Sequence, residues 1–124
     1  MEDRDLATLL GWTRVGVGVA FVLAPAKTSK LWMGRNVDSV YTRMAGRALG
    51  ARDLALGMGL LTAIRRGSPA RGWLEAGVLA DSVDTFNDTV GLRRLPKVRS
   101  LLFIAAGAGS VVAGRRLTGS SDLD

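Results

Sequence analysis

The chain has no cysteine and no histidine. It therefore has no disulfide framework, no thiol nucleophile, no Cys/His zinc site and no imidazole general base. Any chemistry must rest on carboxylates, Arg, Lys, hydroxyls or the single tyrosine, Tyr41. Catalytic signatures are missing as well. There is no Gly-x-Ser-x-Gly elbow and no phosphate-binding Gly-Lys-Ser/Thr loop, and the Gly-x-Gly runs at 16–18, 57–59 and 107–109 lie inside apolar segments rather than after strands. Strand-like alternation is absent, and Ala, Leu and Met favour helix. Proline is scarce: Pro25, Pro69 and Pro96 each fall between apolar stretches. A chain of 124 residues has room for one domain.

What is present is apolar. Hydrophobic residues make up 48% against 23% charged, and mean hydropathy is +0.20, which excludes disorder and leaves membrane insertion open. The prolines cut the chain into four segments, Leu6–Ala24, Met44–Ile64, Gly72–Leu92 and Val98–Leu117. Each is about 20 residues long, the length that crosses a bilayer as a helix. The acidic start Met1–Asp5 does not resemble a secretory leader, so the first segment reads as a retained helix. The expected fold is all-α: a four-helix transmembrane bundle over residues 1–117, with a short interfacial segment between helices 1 and 2 and a disordered polar tail at 118–124. Trp32 and Tyr41 would be interfacial aromatics there, with Lys27 and Lys30 snorkelling. The expected location is the cell membrane, multi-pass, with both termini on the same side.

The net charge of +6 is not gathered onto one face or tail, so no nucleic-acid partner is expected. Much of it lies in short clusters between apolar stretches, Lys27/Lys30/Arg35, Arg65/Arg66/Arg71, Arg93/Arg94/Lys97/Arg99 and Arg115/Arg116, where anchors for anionic headgroups belong. Nine basic residues lie beside the first and third connections, against six at the ends and the second connection. The excess of positive charge on the cytoplasmic side then puts both termini outside.

On a helical wheel of about 100° per residue, polar residues fall between glycines on one stripe. Gly11, Arg14 and Gly18 share a stripe of the first segment, Gly46, Gly50, Asp53 and Gly57 of the second, and Gly107, Ser110 and Gly114 of the fourth. In the third, Gly77, Asp81, Asp84 and Asp88 cluster, while Leu79, Val83, Phe86 and Val90 cover the opposite side. Small residues let membrane helices approach closely. An ionised group facing lipid costs roughly 2.5–3.5 kcal/mol. The stripes should therefore face inward, bringing Arg14, Asp53, Asp81, Asp84 and Ser110 toward the bundle axis; Arg14, Arg47, Arg52, Asp53, Asp81 and Asp84 are expected to form an interior polar cluster with Asp88 nearer the membrane surface. Arg52 is the weakest member, because it points about 100° away from Asp53 and could instead reach a different neighbour or snorkel.

Asp81-x-x-Asp84-x-x-x-Asp88 is the most specific constellation, because three carboxylates on one helical face suit a hard cation such as Mg²⁺ bridged to a phosphate. The spacing resembles the first aspartate-rich motif of intramembrane prenyltransferases, but a second such motif is missing. Ion pairing with Arg is the expected use, with no metal and no cofactor. Arg47-x-x-Gly50-x-Arg52-Asp53-x-x-x-Gly57, followed by Ala80-Asp81-x-x-Asp84, resembles a family of small, functionally uncharacterised bacterial membrane proteins, most closely over Gly50–Gly57. The resemblance implies a four-helix integral membrane unit and no particular activity. The expected function is thus that of a non-enzymatic membrane component, in contact with lipid and packing against a second copy or another membrane protein. The alternative is a small membrane enzyme, or a lipid- or isoprenoid-binding protein, using the interior carboxylates.

Overall fold

Local chemistry sets the helix boundaries in the computed structural model, which describes residues 2–34, 38–94 and 96–124. The first helix, α1 (Asp3–Leu23), opens with Asp3 and Asp5 in its first turn, where negative charge is favoured by the positive end of the helix dipole. It ends at Ala24, because the residue before a proline is pushed out of the helical region, here to φ −133° and ψ 60°. Pro25 then begins α2 (Pro25–Met33) at the position where its missing N–H costs nothing. The Thr28 hydroxyl covers the break by donating to the Ala20 and Ala24 carbonyls at 3.0 and 2.8 Å.

The longest helix, α3 (Val40–Arg66), starts at Ser39, whose side chain accepts the Thr42 N–H at 3.1 Å. It stops at Gly67, whose φ of +62° is a left-handed conformation that glycine adopts without strain. The Ser68 N–H closes that end on the Ala63 carbonyl at 2.9 Å. Helix α4 (Arg71–Gly91) follows Pro69, and α5 (Lys97–Thr118) follows Pro96 and carries Arg115 and Arg116 in its last turn. No strand occurs among the described residues.

Two antiparallel helix pairs result, α1 with α3 and α4 with α5, and α2 lies against the first pair. The α1–α3 approach is backbone on backbone. A methyl group on Gly18 would lie 2.7 Å from the Gly50 carbonyl, and one on Gly50 the same distance from the Gly18 carbonyl. Where α3 turns into α4, an apolar core gathers Leu60, Ile64, Ala70, Leu74, Leu117 and Leu123. Full burial of each leucine from water contributes about 1.5–3 kcal/mol. The outside is also apolar: Trp12 and Leu23 on α1, Leu79, Phe86 and Val90 on α4, and Leu102 and Val112 on α5 are all exposed.

Two expectations are corrected. The four-helix transmembrane bundle is not supported, because the described residues form five α-helices and only α1 and α5 are long and apolar enough to cross a membrane. The reason lies in the charges: α3 contains Arg43, Arg47, Arg52, Asp53, Arg65 and Arg66, and α4 contains Glu75, Asp81, Asp84 and Asp88. Nor is the tail a loose end. Ser121–Leu123 forms a 3-10 turn that buries Leu123, and the Leu123 carbonyl accepts the Ala70 N–H at 2.8 Å. This contact satisfies a donor at the start of α4, which has no side-chain cap. Both chain ends therefore meet at one end of the bundle, where Arg116 reaches Asp3 at 3.3 Å.

Candidate functional site

The polar interior is built around Arg14 on α1. Its side chain emerges from the glycine stripe between Gly11 and Gly18, and it crosses to two other helices. Nη2 donates to Asp81 Oδ2 of α4 at 2.6 Å, and Nη1 lies 3.4 Å from Asp53 Oδ1 of α3. Space for the guanidinium comes from Gly77, one turn before Asp81: a methyl group there would sit 2.7 Å from Arg14 Nη2. Arg14 and Asp53 are each 7% exposed. Burial pushes the Asp53 and Asp81 carboxyls upward from the ordinary range, and the facing guanidiniums oppose the rise.

Arg52 makes the second crossing. It holds Asp84 of α4 in a two-pronged pair, Nη1 to Oδ1 at 3.0 Å and Nη2 to Oδ2 at 2.6 Å, and Nη2 also reaches Asp53 at 3.2 Å. Planar two-point contact between guanidinium and carboxylate is the strong form of this interaction. Asp53 therefore bridges the two arginines, which makes one network of Asp81, Arg14, Asp53, Arg52 and Asp84 linking α1, α3 and α4.

Arg47 does not belong to it. The side chain is exposed and makes no ion pair among the described residues, because it stands well round the helix from Asp53 and away from the α4 side. Asp88 lies apart too: it is 8% exposed and pairs with no arginine among the described residues. Its carboxyl is pushed up to about 6, first by burial and then by the nearby charge of Asp84, with the Trp32 indole N–H partly offsetting the rise. That N–H falls short of hydrogen-bond geometry and has no other partner. Arg35 of the first basic cluster lies outside the described residues.

The sequence pattern missed Trp32 as the neighbour of Asp88, since nothing local marks a contact across so many residues. It also missed Arg4, which donates to the Ile64 carbonyl at the end of α3 at 2.9 Å. Arg52 Nε, Thr85 Oγ1 and Ser100 Oγ are buried without partners among the described residues. Among the described residues no three carboxylates gather where they would hold a metal ion. Asp81 and Asp84 each face a different arginine. The arrangement clamps helices together and leaves neither of these carboxylates free to act as a base. No known protein family, curated protein or solved structure matches this chain.

Proposed function

We propose that the protein is a non-enzymatic membrane component, held in the bilayer through α1 and α5, whose arginine–aspartate network fastens α4 to the α1–α3 pair. The observation that carries this reading is the inverted polarity of the molecule. Ionised groups lie inside and paired, while large apolar side chains of the two candidate spans, Trp12 and Leu23 on α1 and Leu102 and Val112 on α5, face outward. In water such a surface is a liability; in lipid it is the ordinary arrangement. The basic end of the bundle would face the cytoplasm.

Cell fractionation followed by an alkaline wash tests the proposal. The chain should stay in the membrane pellet, and release into the wash would overturn the reading. A role as partner-binding subunit adds a second expectation: purification in mild detergent should return either a dimer of this chain or a stoichiometric membrane protein.

One observation favours the alternative of a small membrane enzyme or lipid-binding protein working through carboxylates. Asp88 is buried and, among the described residues, makes no ion pair. Under that alternative Asp88→Asn would abolish ligand binding or turnover while leaving the amount of folded protein unchanged. Under the proposed reading it changes only the pH dependence of stability.

A further inference from the structure

The strongest unassigned feature is a cavity of about 360 Å³ among α1, α2 and α3. Phe21, Trp32, Met33, Ala45 and Leu49 form apolar walls, and Tyr41, 84% exposed, stands at its outer edge. The size falls within the ~300–1,000 Å³ typical of sites for small organic ligands. No charged side chain lines it; Ser29, Thr42 and Tyr41 bring hydroxyls to its lining, Thr42 being engaged with Ser39 and Tyr41 standing at the outer edge, which leaves Ser29 as the buried one. An occupant must therefore be apolar over most of its length, with an acceptor for one hydroxyl.

The surroundings decide what its other end should be. The cavity lies at the end of the bundle that holds α2, the start of α3, the end of α4 and the start of α5. Among the described residues, eight of the Lys and Arg residues lie in or between these segments, and the acidic residues there are Asp38 and the interior Asp88. The opposite end carries six basic and six acidic residues and is balanced. Such one-sided positive charge beside an apolar cavity is complementary to an anionic amphiphile. We propose that the cavity holds one acyl chain of an anionic phospholipid, with its ester carbonyl at the Ser29 hydroxyl and its phosphate among the basic residues of this end, Lys27 and Lys30 of α2 included.

The inference rests on the membrane reading only for the supply of lipid, so its test is run in detergent micelles, where it can fail or succeed independently of fractionation. Trp12 and Trp73 are replaced by Phe to leave Trp32 as the reporter, and the protein is titrated with lysophosphatidylglycerol or lysophosphatidylcholine carrying brominated acyl chains. Trp32 emission should be quenched saturably, with half-saturation at least tenfold lower for the anionic lipid. Ala45→Phe fills the cavity and should abolish the saturable phase. Lys27→Gln with Lys30→Gln alters two exposed side chains without touching the fold, and should bring the anionic lipid close to the zwitterionic one. Absence of saturable quenching overturns the proposal. So do equal half-saturation for the two lipids, and saturable quenching that survives in Ala45→Phe. Should Ala45→Phe not fold, the double lysine variant decides alone, an unchanged preference for the anionic lipid counting against the proposal.

Discussion

Along α1 and α3 the contact is backbone on backbone, with Gly18 and Gly50 opposed; between that pair and α4 it is made by two guanidiniums reaching across to carboxylates. The first seam exists because side chains are missing, and its attraction is the dispersion energy of many close atoms. The second exists because long charged side chains are present and find each other. The glycine seam thus fails when atoms are added, whereas the ionic seam fails when they are removed. A close-packed seam tolerates neither volume nor displacement. An ionic seam tolerates some separation of the helices but not the loss of a partner, since the charge left behind is buried and alone.

The largest expected effect comes from breaking the ionic seam at its centre. Arg14→Leu leaves Asp81 without its cation, and loss of one partner of a buried pair costs about 3–5 kcal/mol. Thermal unfolding in detergent should show this as a large fall in Tm. Arg14→Leu combined with Asp81→Leu should recover most of it, because Asp53 keeps Arg52 and no uncompensated charge remains at the α1–α4 crossing. If the double variant is no more stable than the single, the network does more than pair charges.

Next in size is addition to the glycine seam. Gly50→Val puts atoms against the Gly18 carbonyl and the Phe21 Cβ, and overpacking of this kind costs about 1–3 kcal/mol. The same measurement reads it, and an undiminished Tm would mean that α1 and α3 do not meet there. Arg52→Gln should cost about 1 kcal/mol or less, because Arg52 and Asp84 keep 33% and 26% of their side-chain surface and solvent weakens the pair. A loss as great as that of Arg14→Leu would show that the two crossings are equally buried.

A smaller effect follows from Asp88, outside both seams. Its folded-state value of about 6 is above the ordinary 3.8, so the folded form binds the proton more tightly than the unfolded one. That contribution to stability is complete below the ordinary value and disappears as pH rises through 6. Acidification from pH 7.5 to 5 should therefore raise Tm in the parent protein more than in Asp88→Asn, measured side by side. The smallest effect belongs to Gly16, which lies beside the seam with open space around its Cβ position. Gly16→Ala should stabilise by about 0.5–1 kcal/mol through helix propensity alone, and a loss would mean that an unrecognised contact covers that face.

Much of the site was legible before the structure. The helical wheel placed Arg14, Asp53, Asp81 and Asp84 on faces carrying glycine, and the structure joins these four with Arg52 in one network. Arg52, expected to point away from Asp53, instead reaches Asp53 at 3.2 Å as well as making its two-pronged contact with Asp84. Arg47 was misplaced because a motif groups residues by distance along the chain, whereas helix geometry separates Arg47 from Asp53 around the axis. The spans were overcounted for a related reason. Segment length alone suits crossing, but the same charges that build the interior lower the hydropathy of α3 and α4, leaving two candidates.

The sequence by itself determined the helical content, the breaks at Pro25, Pro69 and Pro96, the absence of thiol and imidazole chemistry, and the face on which each small-residue stripe lies. These follow from local sterics, composition and a period of about 3.6 residues, all of which act within a few turns of chain. Only the tertiary structure decided that Arg14 serves Asp81 as well as Asp53, that Asp88 stands outside the arginine network, and that Leu123 packs into the core. It also decided that a cavity opens between α2 and α3 at the basic end. The physical reason is distance along the chain. Arg14 and Asp81 are 67 residues apart, and which partner a charge meets is set by how whole helices dock, not by anything encoded within one turn.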